Sequence, residues 1–218
     1  MTPAYRYQLA GLGFQSPLPL PELGDACSAP RQPDVLIAQG TVPLPPQGPA
    51  PRGGMAWSST PERCLLDIHG VGRFGVSRGR HITFERTGGV GDDFLRLYLL
   101  GSVLGALWHQ RGRLPLHAGA VAIDGRAWAF VGESGAGKSS LVVTMAACGA
   151  GYLCDDVCVV QPSSDTGAQV WPGLARLRVS PEICALLALA DTPPLDPMGK
   201  HTLAPPWPRP SGTPPLAG

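Results

Sequence analysis

The chain has 218 residues, 44% hydrophobic and 15% charged, with 17 Lys+Arg against 16 Asp+Glu and a formal net charge of +1. That length can bury a sizeable core, in one domain or in a nucleotide-sized domain with a small partner. The sparse charge excludes the dense basic field of a sequence-independent nucleic-acid binder, and the longest uncharged apolar run, residues 97–108, falls short of the about 20 residues that cross a bilayer.

The first six residues lack the charged-then-apolar build of a signal peptide. Six cysteines at 27, 64, 148, 154, 158 and 184 show no disulfide framework, so a reducing cytoplasm is the expected setting. Of the 17 basic residues only Lys138 and Lys200 are lysines.

In chain order, residues 1–60 are rich in Pro and Gly, with short apolar runs at 5–12 and 35–38 that read as strands joined by loops. Residues 64–69, 73–77 and 81–85 continue the pattern, the last two forming a hairpin around Gly79. Asp92-Asp93 should open a helix by satisfying its free amides, and Gly112 should close it in the left-handed conformation. That helix is apolar nearly all round, as a buried helix is, and is expected to join the β lobe to the C-terminal half of the chain. Strands at 118–123 and 127–131 flank Asp124-Gly125, a two-residue hairpin signal. A helix from 139 to about 148 and a strand at 152–160 come next, and a last helix starts at Ser180-Pro181-Glu182. The final 26 residues hold nine prolines and should be extended or disordered. The expected division is a β-rich N-terminal lobe at 1–90, a P-loop domain with its linking helix at 91–192, and a Pro-rich tail at 193–218.

The strongest chemical signal is Gly132-Glu133-Ser134-Gly135-Ala136-Gly137-Lys138-Ser139-Ser140, a P-loop (Walker A) pattern between a strand and a helix. Its glycines let successive amides point at phosphate oxygens, and the helix adds the positive end of its dipole. Lys138 would reach the β- and γ-phosphates of a nucleoside triphosphate, and the Ser139 hydroxyl would help hold Mg²⁺. Asp155-Asp156 follows 17 residues after Lys138, on the strand expected to return beside the loop. Neighbours on a strand face opposite sides, so the two carboxylates should have different tasks; a solvated strand end is the alternative. His117 reads either as a structural histidine or as a third member of the site. Cys148, Cys154 and Cys158 lack zinc-site spacing and read as core.

The blocks Leu116-His117-Ala118-Gly119-Ala120, Gly132 to Ser140 and Tyr152-Leu153-Cys154-Asp155-Asp156 resemble the catalytic domain of HPr serine kinase/phosphorylase. The likeness is greatest to the shorter, stand-alone relatives found with ribosomally made peptide clusters, lasso peptides among them. It is close over residues 114–161 and weaker over 5–110. It implies an α/β fold of the phosphoenolpyruvate-carboxykinase-like type, preceded by a small β-rich lobe, and ATP- and Mg²⁺-dependent transfer to a serine of a protein or peptide. By matching position, residues 132–140 would bind the nucleotide. Asp155 would accept the serine proton, and Asp156 would pair with His117 or join Ser139 at the metal. The resemblance departs at Ala118, where the family has Gly. It departs again downstream of the Asp pair, where the family's metal-binding Glu and phosphate-contacting Arg have no counterpart, so the short C-terminus could leave an impaired kinase. A regulatory nucleotide-binding protein and a simple ATPase or pyrophosphatase are the competing readings. Neither a nucleic-acid nor a membrane partner is expected, and homo-oligomerisation stays open.

Overall fold

The computed structural model describes residues 4–24, 32–163, 167–186, 195–196 and 198–217. The first three residues, Cys27 and the expected domain boundary at 192–193 lie outside them. The protein is a strand-rich mixed α/β chain of two units, Met1–Gly112 and Arg113–Gly218. Among the described residues no helix is long and apolar enough to cross a membrane.

The first unit is built on seven strands: β1 (Tyr5–Leu9), β2 (Leu12–Ser16), β3 (Val35–Gln39), β4 (Met55–Ser59), β5 (Arg63–Ile68), β6 (Gly72–Ser77) and β7 (His81–Arg86). They form one mixed sheet in the order β1-β2-β3-β7-β6-β5-β4, with β3 parallel to both its neighbours. The run at 5–12 is not one strand: Ala10 and Gly11 both take positive φ, and the chain folds back as a two-residue hairpin. Gly79 turns β6 into β7 as expected.

The long helix occupies its expected span as α1 (Asp92–Tyr98), a π turn at Leu99–Val103, and α2 (Leu104–Gln110). The π turn adds a residue to the local ring. It shifts register between the halves, so that Leu95, Leu99, Leu100, Val103, Leu104, Leu107 and Trp108 are all buried. Trp108 meets Phe14 of β2 edge-on at 6.3 Å, so the helix belongs to the first unit and not, as its sequence suggested, to the P-loop domain. The expected cap also differs. Gly91 is the N-cap and has no side-chain bond to the helix, while Asp92 bonds Arg86 at 2.5 Å and Asp93 bonds Arg96. Guanidinium partners within reach outcompete the backbone amides for these carboxylates. Gly112 takes its left-handed cap at φ 68°.

The second unit holds β8 (Leu114–Leu116), β9 (Ala118–Ile123), β10 (Arg126–Val131), β11 (Gly151–Cys154), β12 (Cys158–Ser163), β13 (Gly167–Trp171), β14 (Leu177–Val179) and β15 (His201–Leu203), with α3 (Lys138–Ala147) and α4 (Pro181–Leu186). Three small sheets result: β10-β9-β11, β13-β12-β8 and β14-β15. Asp124-Gly125 makes the expected hairpin, both residues at positive φ. Helix α3 packs its Val142, Val143 and Ala146 on Val121 and Tyr152.

Gly119 of β9 permits that packing, because a Cβ there would stand 2.5 Å from Val142 Cγ2. Val142 is buried and β-branched, so it has little freedom to yield. Gly119→Ala is therefore expected to destabilise the protein by about 1–3 kcal/mol, read as a lower urea midpoint with an unchanged m-value.

The Pro-rich tail is extended, but it is not disordered where it is described. Pro208 O accepts from Tyr152 N at 3.1 Å, Pro214 O from Val170 N at 3.0 Å, and Pro215 O from Ala127 N at 2.8 Å. Leu216 N in turn donates to Ala168 O at 2.7 Å. Residues 214–217 thus run between β10 and β13 and join two of the sheets. Proline cannot donate to a ladder but its carbonyl still accepts, which suits it to a sheet edge.

Candidate active site

The strand expected at 152–160 is interrupted, and the interruption builds the site. Ala120 pairs with Cys154 and Leu116 with Cys158, four residues back on one chain and four residues on along the other. The register is thus common to both sides of a gap that holds His117, Ala118 and Gly119 on one chain and Asp155, Asp156 and Val157 on the other. At this gap both chains pass from the β9 sheet to the β12 sheet, so His117 and the Asp pair come together at a junction of two sheets. His117 is exposed, and its Nδ1 lies 3.2 Å from Asp156 O. Cys154 and Cys158 close the two ends of the gap inside an apolar cluster with Ala118 and Leu153.

Asp156 is at φ 71°, and Val157 N donates to Asp155 O at 2.9 Å, which makes a tight three-residue turn. This bend, not strand alternation, turns the two carboxylates apart. Asp155 is 3% exposed and accepts from Ser139 Oγ at 2.8 Å and from Arg178 N at 3.2 Å. Asp156 lies 3.1 Å from one Arg178 nitrogen and 3.7 Å from Arg176.

The expected pairing of Asp156 with His117 through its carboxylate is therefore not what forms, since His117 meets only the backbone oxygen of Asp156. Nor does Asp156 reach Ser139; Asp155 does. Two guanidinium groups, from Arg178 on β14 and Arg176 just before it, are stronger attractors for Asp156 than an exposed imidazole. Burial, and then the adjacent charge of Asp156, push the Asp155 carboxyl above the usual carboxylate range, against the pull of Ser139, Arg178 and Lys200.

The loop itself is open to solvent. Residues 132–137 are all exposed, with Gly135 at φ 85° and Gly137 at φ 84°, conformations in which any β-carbon is strained. Gly137 is the N-cap of α3, whose first-turn amides have no acceptor within the helix. Lys138 Nζ folds back over the loop and donates to Gly132 O and Glu133 O, each at 2.8 Å. Glu133, Ser134, Ala136 and Ser140 lie on the same loop and first helical turn, as expected. Ser139 Oγ and the Asp155 carboxylate are adjacent hard oxygen donors, the chemistry Mg²⁺ prefers.

Sequence reading missed Arg176, Arg178 and Asp196. Arg178 donates from Nε to Asp196 Oδ2 at 2.8 Å while holding Asp156 on its other side. The alternation Arg176-Leu177-Arg178-Val179, with two cations facing one way, was the available signal. No family model and no curated protein matches the chain.

Proposed function

We propose that the protein is a Mg·ATP-dependent kinase of the HPr-serine-kinase-like type, which transfers the γ-phosphoryl group to a serine hydroxyl of a peptide or protein. The observation that carries this reading is the 2.8 Å bond between Ser139 of the P-loop and Asp155. It sets a buried carboxylate of raised proton affinity beside the P-loop serine, which supports a base next to a bound γ-phosphate. The finer fold assignment, phosphoenolpyruvate-carboxykinase-like, belongs to the same proposal, as does a cytoplasmic setting.

The loop amides and Lys138 bind the triphosphate, Lys138 leaving the two loop carbonyls for phosphate oxygens. Ser139 would help hold Mg²⁺, which when bound neutralises charge on the β- and γ-phosphates. Asp155 accepts the serine proton as the serine oxygen bonds to the γ-phosphorus. The bond from that phosphorus to the β–γ bridging oxygen breaks, and ADP leaves with the electron pair. Asp156, tied to Arg178 and Arg176, and His117, bonded to the bend, keep Asp155 in place.

The test is product analysis with Mg·ATP and serine-containing peptides. Phosphoserine with stoichiometric ADP is the expected result. ADP with free phosphate and no phosphopeptide would make the protein an ATPase, and nucleotide bound but unchanged would make it a regulatory binder.

A further inference from the structure

We propose that Lys200 is a second phosphate-contacting cation of this site, presented to the transferring phosphoryl group by the turn that starts at Asp196. The proposal rests on the nucleotide-binding function proposed for the P-loop and goes beyond that loop.

The turn is built in detail. Gly199 N donates to Asp196 O at 2.9 Å, with Gly199 at φ 74°, and Asp196 N donates to Lys200 O at 2.6 Å. Asp196 Oδ1 accepts from Met198 N at 2.8 Å and from Lys200 N at 3.0 Å. Its other oxygen takes two nitrogens of Arg178 at 2.8 Å each, and the Arg178 backbone N–H reaches Asp155. The turn that ends in Lys200 is thus tied, through one residue, to the carboxylate beside Ser139. Lys200 also immediately precedes β15, whose His201 pairs with Val179, next to Arg178 on β14.

Charge matching leaves Lys200 over. Arg178 is engaged by Asp156 and Asp196, whereas the Lys200 ammonium has no ion-pair partner among the described residues. In a chain that otherwise uses arginine, one lysine stands on the loop and the other on the turn tied through Arg178 to Asp155. A compact ammonium on a flexible stem can follow a phosphoryl group as it moves between two oxygens, which a planar guanidinium does less well. In the transfer from ATP to serine, Lys200 forms no bond and carries no proton, but offsets the charge on the equatorial oxygens.

The experiment titrates the full chain with Mg·ADP, alone and with aluminium fluoride as a mimic of the transferring phosphoryl group. Lys200→Ala is expected to keep Mg·ADP affinity within about threefold and to lose about 10²-fold in affinity for the fluoride complex. Lys200→Arg, which keeps the charge, should recover part of that loss. Lys200→Met covers the event that the alanine chain unfolds. Wild-type affinity for both probes in Lys200→Ala would overturn the proposal alone, and so would an equal loss for both. A wild-type protein that binds no Mg·ADP would bring down the nucleotide reading and this proposal with it.

Discussion

Asp155→Asn is expected to lower phosphoryl transfer by about 10²–10⁴-fold, the range of a positioned general base, while ATP affinity changes only a few-fold. The amide keeps the shape of the carboxylate, accepts from Arg178 N and donates to Ser139 Oγ, but it cannot take the serine proton. The variant should also be at least as stable as the wild type at neutral pH. The Asp155 carboxyl sits above the usual range in the folded chain, so the folded state holds its proton more tightly than the unfolded one. Stability from this group is present below the unfolded pKa of about 3.9 and is lost as pH rises through the folded value. An uncharged residue escapes that cost. A thermal midpoint at or above the wild-type value, with phosphoserine formation gone, separates lost chemistry from a lost fold; an unchanged rate would remove Asp155 from the mechanism.

Asp156→Asn is the companion measurement. Asn tolerates the positive φ of the bend, so the turn survives while the charge pair with Arg178 does not. The negative neighbour that raises Asp155 disappears, and the Arg178 charge is left less balanced. Both changes lower the Asp155 pKa. Since the base acts deprotonated, the acid limb of kcat/KM against pH should move to lower pH, and a limb that stays in place would show that Asp156 does not act on Asp155.

Lys138→Ala is expected to weaken Mg·ATP binding more than tenfold, because a single charged hydrogen bond to phosphate is worth about 1.5–3 kcal/mol. In the unliganded loop the ammonium is already held by Gly132 O and Glu133 O, so part of its affinity for phosphate goes into leaving them. Lys138→Arg should not restore binding, because a planar fork does not fit where a compact ammonium bridges two loop carbonyls. Calorimetric titration of both variants decides this, and wild-type affinity in a folded Lys138→Ala protein would refute the P-loop assignment.

Much of the local structure was legible in the residues. Asp124-Gly125 specified a hairpin because only a few residue types accept positive φ at two successive positions, and the glycine spacing around Lys138 specified a loop that opens a helix. Ala10-Gly11 makes the same turn as Asp124-Gly125, but alanine is a poor marker of positive φ, so the hairpin was read through as one strand. The long helix was found from its apolar pattern, but which unit it covers depends on Phe14 and on the sheet beneath it, which no periodicity specifies.

The site divides along the same line. Lys138, Ser139 and the glycines lie within a few residues of one another, and sequence alone determined the loop and its helix. The partners of Asp155 and Asp156 come from Ser139, Arg176 and Arg178, with Asp196 and Lys200 behind them. These residues are separated along the chain and meet only because two strands change sheets at His117 and at Asp155–Val157. Which carboxylate faces the loop was therefore decided by the tertiary structure, because a bend at positive φ overrides the alternation a strand would impose. The proline-rich tail was settled the same way: its composition forbids a helix, but only the open edges of β10, β11 and β13 give its carbonyls donors to bind.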